Sequence, residues 1–510
     1  MFRIGPLELD ESQFQAACTL GNTLVIAGPG AGKTRTLLGH ALYLLDSGIP
    51  PERIFLLTFT VKTASELQAR LKALGARNVK VDTFHGFAYE LCRLKGKNPR
   101  LLEPKEQEEI FKEILRRRGM PVRGAFKKLE NLFTCDTDEE GLLTAYEETL
   151  LRENLWDFRR LIKEASRENP LRDLSCHLLV DEFQDLNPEL LSFLRSFTRA
   201  RFYFVGDPAQ AIYGFRGAKP EITKAFMDSL NEVSIRYLLE SYRVPEKILA
   251  FASNLQESPF ETPPLKARKM GGEIKAFSFK SPEQEARGVA EQIEKLLGGL
   301  QMETSKKGFS PAEIAVVARL RRLLVPVRKA LEKVGIPVEE GSAVTESILA
   351  EVEKALSHAR NLSDLRQKLS REILSLPEIS FLLEKSEDLE DFSGKWHLFR
   401  LRTTVLLKKS GVSLLTIHET KGLEFKVVFL VGAEEDIMPF RLLEGFDFAE
   451  EKRLAYVAVT RAEAIFWASF SRHRSLFGKR LPGRISPFFS ALPLCKPQRR
   501  PSRPKQRGLF

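Results

Sequence analysis

The stretch TLVIAGPGAGKTRT, residues 23–36, decides the fold class of this chain. Its first five residues, Thr23 to Ala27, are β-branched or apolar and predict a buried strand. A glycine-rich loop follows, and the residues from Arg35 to Leu45 predict a helix. Strand, glycine-rich loop and helix in this order are typical of a phosphate-binding loop. The pattern therefore predicts an α/β protein that binds a nucleoside triphosphate.

The loop departs from the strict GxxxxGK[ST] pattern at one position, because Ala27 stands where the first glycine is usual. Backbone N–H groups in such a loop surround phosphates, and the positive end of the following helix points at them. Lys33 is expected to neutralise the β- and γ-phosphates, and Thr34 to coordinate Mg²⁺. A glycine-rich turn without a ligand is the alternative. The loop residues expected at the phosphates are Gly28, Gly30, Ala31 and Gly32.

A second predicted strand, Cys176 to Val180, leads directly into Asp181 and Glu182. Two acids after a buried strand are costly unless a cation or a reaction needs them. Asp181 suits Mg²⁺ through a water molecule, and Glu182 suits the base that orients or deprotonates an attacking water. An acidic pair after a strand alone is usually a helix cap. Because this acidic pair lies downstream of a phosphate loop, we interpret it as the second half of an NTPase site.

A third predicted strand, RFYFV at 201–205, precedes the loop GDPAQAIYGFRG at 206–217. Its mixture of an acid, an amide, aromatic residues and an arginine suits neither a core strand nor a solvated helix. In open α/β sheets, ligands bind at the carboxyl ends of the strands. The loop is therefore expected at the same sheet edge as the phosphate loop.

Length and composition indicate a multi-domain protein. The chain has 510 residues, with 43% apolar and 29% charged residues, which predicts two to four domains. No apolar run is long enough to span a bilayer and no leader is evident, so a cytoplasmic protein is expected. The five cysteines are widely scattered without a CxxC, which favours reduced thiols over a zinc site or disulfides.

The net charge of +11 is concentrated at the C-terminus. Residues 471–510 contain eleven lysines or arginines and no acid, and the rest of the chain is neutral overall. The last part, 496–510, is rich in proline and basic residues. It is expected to be a disordered arm that adds salt-sensitive affinity for phosphates, with a solubility tail as the alternative.

The motifs described above are part of a longer ordered series of nine blocks. The blocks are LDESQFQA (9–16), AGPGAGKTRT (27–36), LLTFTVKTASEL (56–67), VDTFHGFA (81–88), LLVDEFQDLNP (178–188), VGDPAQAIYGFRGA (205–218), LLESYRVP (238–245), SLLTIHETKGLEFKVVFLVG (413–432) and EEKRLAYVAVTRAE (450–463). In this order they resemble the motifs of the UvrD/Rep/PcrA-type superfamily 1 DNA helicases. The resemblance implies two RecA-like parallel-sheet domains, ATP and Mg²⁺ as cofactors, and single-stranded DNA and junctions of single- and double-stranded DNA as partners.

The resemblance also implies roles around the nucleotide. Gln13 resembles the glutamine that reads the adenine edge, and Arg35 and Tyr242 resemble residues that pack against the base, although Tyr242 could be ordinary core. Gln210 resembles the amide that senses the γ-phosphate, and Glu424 the acid near the ribose. Two further residues, Arg243 and Arg461, resemble arginine fingers, which would place positive charge on the transferred phosphoryl group.

Other motif positions resemble a track for single-stranded DNA. Aromatic rings that stack on bases tolerate any sequence, as a motor stepping along a strand requires. For any one aromatic here, core packing is the alternative. The residues matching stacking positions are Phe59, Tyr213 and Phe215. Those matching phosphate contacts or couplers are Thr83, His85, Arg216, Arg319 and His418.

The chain departs from the family in Phe215, where tryptophan is usual, and in the short interval at 341–411, where relatives carry a large accessory domain. Helical apolar spacing in that interval predicts a small helical insertion. The expected domains are a first RecA-like domain at 1–93 and 156–236, a helical accessory insertion at 94–155, a second RecA-like domain at 237–340 and 412–495, the short helical insertion at 341–411, and the basic tail at 496–510.

The function expected from the resemblance is an ATP-dependent single-stranded DNA translocase and helicase. It would be a monomer moving 3′ to 5′, acting in DNA repair, replication or recombination, with repair proteins as further partners. One alternative is a translocase that removes bound proteins without unwinding. A non-catalytic DNA-binding repair subunit is another, but the charged residues of the ATP site are all present. RNA as substrate stays open, since stacking and phosphate contacts do not read the sugar.

Overall fold

The computed structural model describes residues 2–135, 138, 140–298, 308–402, 410–442 and 446–495. The predicted tail at 496–510 lies outside these residues. The strands are β1 (Phe2–Ile4), β2 (Leu7–Leu9), β3 (Asn22–Ala27), β4 (Ile54–Thr58), β5 (Lys80–Thr83), β6 (Cys176–Asp181), β7 (Ala200–Gly206), β8 (Val233–Leu238), β9 (Glu240–Ser241), β10 (Lys266–Ala267), β11 (Glu273–Phe279), β12 (Ile314–Ala318), β13 (Val338–Glu340), β14 (Val412–Thr416), β15 (Phe425–Val431), β16 (Ala462–Ser471), β17 (Ser475–Leu476), β18 (Lys479–Arg480) and β19 (Leu494–Cys495).

Helices connect most of these strands, as parallel sheets require. They are α1 (Glu11–Ala17), α2 (Lys33–Asp46), α3 (Val61–Ala73), α4 (Phe84–Leu94), α5 (Pro104–Arg117), α6 (Ala125–Cys135), α7 (Leu142–Arg152), α8 (Phe158–Arg167), α9 (Pro188–Arg195), α10 (Pro220–Asp228), α11 (Glu246–Ser253), α12 (Pro282–Leu296), α13 (Leu324–Lys333), α14 (Gly341–His358), α15 (Leu362–Lys368), α16 (Arg371–Leu374), α17 (Pro377–Lys385), α18 (Leu389–Arg402) and α19 (Phe448–Thr460). None of the helices described is long and apolar enough to cross a membrane.

Among the described residues, the first sheet has six parallel strands in the order β5-β4-β6-β7-β3-β8. The three strands predicted from sequence are confirmed as β3, β6 and β7, and their apolar residues are buried because helices cover both faces. Strand β7 lies between β3 and β6. The register places Ile26 beside Gly206 and Asp181 beside Val205. The loops that follow these three strands therefore leave the sheet at one level, side by side.

The second sheet has seven parallel strands, counted over the same described ranges, in the order β13-β14-β12-β15-β16-β11-β19. Its central strands, β12 with the sequence IAVVA and β15 with the sequence FKVVFLV, are almost wholly buried and mainly apolar. Two large parallel sheets with helical insertions agree with the predicted pair of RecA-like domains. The helices predicted in 94–155 and 341–411 are present as α5 to α7 and α14 to α18.

The chain divides into two compact units with boundaries that differ from those expected. Counted over the described residues only, the first unit takes residues from 1–243, 256–269 and 342–406, and the second takes residues from 244–255, 270–341 and 407–510. Strand β8 completes the first sheet and ends at Leu238, past the expected boundary at 236. The segment at 256–269 belongs to the first unit because β10 pairs with β9 and Leu265 packs against Gly28.

Candidate functional site

The phosphate loop connects β3 to α2 through two glycines with left-handed backbone. Gly30 has φ +70° and Gly32 has φ +84°. A Cβ on Gly30 would lie 2.5 Å from the Cβ of Arg243, and a Cβ on Gly32 would collide with the side-chain amide of Gln13. Both conformation and space therefore exclude side chains here. The loop leads directly into α2, which begins with Lys33 and Thr34.

Lys33 lies in a cluster of carboxylates at the carboxyl ends of β6 and β7. Its Nζ is 2.8 Å from Oε2 of Glu182. Burial alone would lower the pKa of Lys33, but the carboxylates of Glu182, Asp207 and Asp181 outweigh it and raise that pKa. Burial, together with the charge of Glu182, raises the pKa of Asp181 to about 7. Three acids around one lysine leave an excess of negative charge, which a further cation would stabilise.

These residues fit a Mg²⁺ ion held mainly by nucleotide oxygens. Thr34 offers a hydroxyl and Asp181 a buried carboxylate, and the excess negative charge favours a cation. Over the described ranges, no group of three or more His, Cys, Asp or Glu side chains could hold a metal ion. Mg²⁺ usually takes one or two protein ligands and completes its shell with phosphates and water. The donor set agrees with that mode of binding.

A hydrogen-bonded chain leads from Lys33 to the loop at 206–217. Nε2 of Gln184 donates to Oε2 of Glu182 at 2.5 Å, and Oε1 of Gln184 accepts from the backbone N–H of Asp207 at 3.0 Å. Nε2 of Gln210 then donates to Oδ2 of Asp207 at 2.7 Å. Gln184 is fully buried, so these bonds are screened little by water. The phosphate loop, the acidic pair and the third loop form one connected network.

Two members of this network were not singled out from the sequence. Gln184 and Asp207 were each part of a quoted motif, but neither was given a role. The available signal was polarity, since both follow a buried strand closely and both are buried. Buried polar groups are almost always hydrogen-bonded. Which partners they bind depends on the strand order, which the sequence does not state.

The residues expected at the adenine lie together beside the phosphate loop. Gln13 donates through Nε2 to the carbonyl of Ala31 at 3.0 Å, and its Oε1 accepts from the backbone N–H of Asp10 at 3.1 Å. The hydroxyl of Tyr242 donates to Oδ2 of Asp10 at 2.8 Å, and its backbone N–H donates to Gly30. Asp10 therefore links the side-chain amide of Gln13 to the hydroxyl of Tyr242. Arg35 is exposed and donates to the carbonyl of Glu8.

The aromatic residues expected in the strand track differ in exposure. Phe215 is 55% exposed, and its ring meets that of Tyr213 edge to face at 6.0 Å. The guanidinium of Arg216 lies over both rings, with its central carbon 5.2 Å from the ring centre of Tyr213 and 5.5 Å from that of Phe215. Phe59 is partly buried and packs against Phe84. An exposed ring with an arginine beside it is suited to a nucleic-acid base.

Thr83 and His85 stand at the start of α4. The hydroxyl of Thr83 accepts from the backbone N–H of Gly86 at 3.0 Å and so caps the helix. His85 is buried, and its ring meets Phe158 edge to face at 5.2 Å. The structure brings both residues to the end of β5, in the same sheet as the phosphate loop. Their contact with DNA stays a prediction.

The remaining predicted residues belong to the second unit. Arg319 forms a charged pair with the carboxylate of Glu451, at 2.7 Å from Nη2 to Oε1, so its positive charge is already neutralised. Arg461 follows α19 and donates through Nη1 to the carbonyl of Leu423 at 3.3 Å. His418 begins a short 3-10 helix, and Glu424 immediately precedes β15. The roles expected of these residues stay predictions.

One exposed aromatic residue of the second unit was missed. Phe477 is 61% exposed at the turn between β17 and β18, and the guanidinium of Arg322 lies 4.7 Å from its ring centre. Lys479 and Arg480 follow it in the chain. The available signal was the acid-free composition of 471–510, which was interpreted mainly through its final residues. An exposed ring among basic side chains fits a nucleic-acid contact.

Comparison with known proteins places these motifs in a family. The model described as the UvrD/REP helicase N-terminal domain matches residues 9–130 and 125–231, and that described as the UvrD-like helicase C-terminal domain matches 342–473. ATP-dependent DNA helicase PcrA of Staphylococcus epidermidis (strain ATCC 35984) is 24% identical, over 93% of this chain and 85% of the relative. PcrA of Staphylococcus aureus (strain Mu50) is 24% identical, over 93% and 84%.

The alignment with the first of these relatives runs over 625 positions, more than the 510 residues of this chain. It therefore contains gaps opposite segments that only the relative has, which agrees with a compact chain. The two family models together match more than half of the sequence, and their matches contain the phosphate loop, the acidic pair and the last predicted arginine finger. This chain belongs to the UvrD/Rep helicase family.

Proposed function

We propose that this protein is an ATP-driven translocase on single-stranded DNA that unwinds duplexes, moving 3′ to 5′ as the family resemblance implies. The observation that carries the proposal is the connected network from Lys33 through Glu182, Gln184 and Asp207 to Gln210. A few residues further on, the same loop carries the exposed Phe215 and its arginine neighbour. The relatives named ATP-dependent DNA helicase PcrA support the same activity.

The chemistry follows from the charges at the site. A triphosphate would compete with Glu182 for the ammonium group of Lys33, because one lysine cannot neutralise both fully. Release from Lys33 would free the Glu182 carboxylate to orient or deprotonate the attacking water. Mg²⁺ held by Thr34 and Asp181 would neutralise phosphate charge when bound. Arg243 lies against the phosphate loop, and Arg461 would add positive charge to the transferred phosphoryl group.

The hydrogen bonds of this network would couple ATP chemistry to the bound DNA strand. A change at Glu182 alters the partner of Gln184, which also holds the backbone of Asp207. Asp207 in turn holds the side chain of Gln210, so the loop cannot keep its position unchanged. Phe215 and Arg216 follow in that loop. Nucleotide chemistry would thereby alter the grip on a base, which is the requirement for stepping along a strand.

The test is ATP hydrolysis by the full chain with and without oligo(dT), in wild type and Lys33→Ala. We expect strong stimulation by the oligonucleotide and loss of hydrolysis in the variant. Lys112→Ala is the matched control, because Lys112 lies on α5 and, among the residues that the structure describes, pairs with two neighbouring acids of its own helix and no others. Hydrolysis by Lys33→Ala at the wild-type rate would refute the phosphate-loop assignment. A wild type that oligo(dT) does not stimulate would refute the strand track.

A translocase that removes proteins without unwinding is the second candidate. The segment 342–406 favours it, because eleven acidic and nine basic residues give no excess positive charge for gripping a duplex. Displacement of streptavidin from a biotinylated strand, compared with displacement of a complementary strand from duplexes bearing 3′ or 5′ tails, separates the candidates. Activity on the 3′-tailed duplex alone would support unwinding with the proposed direction. Streptavidin displacement without strand separation would favour the second candidate.

A further inference from the structure

The segment 342–406, here called the insertion, belongs to the first unit over its described residues, although it interrupts the sequence of the second. Its apolar residues share one hydrophobic core with the first sheet and α3. Ile379 and Leu382 of α17 belong to the same cluster of buried residues as Leu67 and Leu71 of α3. An insertion that shares a core cannot move independently of the unit it completes.

A network of buried charges ties the insertion to α4. Lys385 pairs with Asp82 and lies 3.8 Å from Glu90, and its side chain is only 19% exposed. Asp391 is paired with Arg93 at 2.5 Å and with a second lysine of the insertion. Burial lowers the pKa of Lys385, but Asp82 and Glu90 outweigh it, so the pKa is raised and the charge is kept.

The pair of Lys385 and Asp82 touches the turn that starts α4. One carboxylate oxygen of Asp82 accepts from the backbone N–H of Thr83 at 2.6 Å, and the other binds Lys385. The hydroxyl of Thr83 caps the helix through Gly86, and a Cβ on Gly86 would collide with Asp82. The Asp82 carboxylate therefore joins the turn to the insertion, with one oxygen bound to the Thr83 backbone and the other to Lys385. Thr83 and His85 within it are the residues predicted to contact DNA phosphates.

We propose that the insertion is a fixed brace of the first unit, and that Lys385 is a positioning residue that holds the turn at 82–86 for binding single-stranded DNA. The inference rests on the proposed function, because it assigns the turn to the strand track. Lys385 acts through Asp82 and does not touch the strand itself. A purely structural ion pair here would give no advantage over apolar residues of similar size, which are often equally stable.

The test measures binding of fluorescein-labelled oligo(dT) by anisotropy, with ATP hydrolysis in the absence of DNA as a second readout. Lys385→Met is expected to raise the Kd for oligo(dT) about tenfold, which corresponds to ~1.4 kcal/mol. Its DNA-independent hydrolysis and KM for ATP should stay at the wild-type values. Lys385→Arg keeps the charge beside Asp82 and should recover most of the affinity.

Lys368→Met is the matched control, because it removes the same charge from an exposed pair with Asp364 on α15 of the insertion. It should bind oligo(dT) like wild type. The salt dependence separates positioning from direct contact, since loss of a phosphate contact lowers the slope of log Kd against log salt by about one. Lys385→Met should keep the wild-type slope.

Three results would overturn the inference: unchanged binding by Lys385→Met, a lowered salt slope, or a chain that unfolds or loses DNA-independent hydrolysis in parallel with binding. The last would show an ion pair needed only for the fold. Failure of the wild type itself to bind oligo(dT) would instead refute the proposed function on which the inference rests.

Discussion

Replacing Gln184 by leucine should disconnect ATP chemistry from the DNA strand. The side chain is fully buried and makes two hydrogen bonds, one to the Glu182 carboxylate at 2.5 Å and one from the Asp207 backbone at 3.0 Å. Leucine has a similar size but neither donates nor accepts. The phosphate loop, with Lys33 and Thr34, is not altered by this change.

The magnitude follows from the two bonds. A hydrogen bond to a charged group contributes about 1.5–3 kcal/mol, and a buried backbone donor left without a partner costs about 1–3 kcal/mol. Partial relaxation around leucine would reduce their sum, so we expect the free energy of unfolding to fall by about 3 kcal/mol. Gln107→Leu is the matched control, because this buried glutamine makes one bond to the Leu102 carbonyl at 3.1 Å and should cost only about 1 kcal/mol.

The assay is the ratio of ATP hydrolysis with saturating oligo(dT) to hydrolysis without it. If about 2 kcal/mol of the lost interaction belongs to coupling, that ratio falls about thirtyfold at most, since 1.4 kcal/mol is a factor of ten. DNA-independent hydrolysis should fall much less, because Lys33 and Glu182 remain. The control Gln107→Leu should keep the wild-type ratio. A folded Gln184→Leu protein with wild-type stimulation would refute the idea that the coupling passes through this amide.

Three further predictions concern single residues. Phe215→Ala should weaken oligo(dT) binding by about 1–3 kcal/mol, and Phe215→Trp should strengthen it because a larger ring stacks over more area. Anisotropy at fixed salt measures both Kd values. Kd values equal to that of the wild type would exclude stacking of a base on Phe215. Tyr242→Ala should raise the Kd for ATP about tenfold but leave inorganic tripolyphosphate binding unchanged, because only the base stacks on the ring. Calorimetric titration measures both affinities. An equal loss of affinity for ATP and for tripolyphosphate would contradict a base contact. His40 is buried and stacked on Tyr203, and burial lowers its pKa from 6.5 to about 3. The contribution of neutral His40 to the free energy of unfolding is complete above about pH 6.5. It is lost as the pH falls toward 3, and the loss at pH 5 is about 2 kcal/mol. The urea midpoint should therefore depend less on pH in His40→Gln, and identical pH dependence would contradict the assignment.

Local sequence determined the elements that carry the motifs. The strands predicted at 23–27, 176–180 and 201–205, where short apolar runs end before glycine or acidic residues, are present at Asn22–Ala27, Cys176–Asp181 and Ala200–Gly206. The phosphate loop was predicted because a glycine-rich stretch lies between a predicted strand and a predicted helix. The left-handed backbone of Gly30 and Gly32 in the structure explains why glycine is needed there. The helices of the two insertions followed from their apolar period. These features depend on neighbouring residues, so a single sequence contains the information for them.

Contacts between distant residues were decided only by the tertiary structure. Lys33 and Glu182 are 149 residues apart, and Lys385 and Asp82 are 303 apart. The order of strands in the first sheet brings the loop after β7 between the other two, which gives Gln184 and Asp207 their partners. The partner of Arg319 was likewise decided by the tertiary structure: a contact with DNA was expected from the sequence, and the structure pairs this arginine with Glu451.

The insertion also shows which features the sequence determined and which only the tertiary structure decided. Its apolar spacing predicted helices and the resemblance implied a place within the second domain, but neither states which surface those helices cover. The helices bury their apolar faces against α3 and share its core, so they belong to the first unit. Burial of apolar area is non-directional, and the sequence alone does not specify which of several apolar faces a helix will cover. The elements that carry the motifs were therefore predictable from the sequence, whereas the hydrogen bonds and ion pairs that connect those motifs required the folded structure.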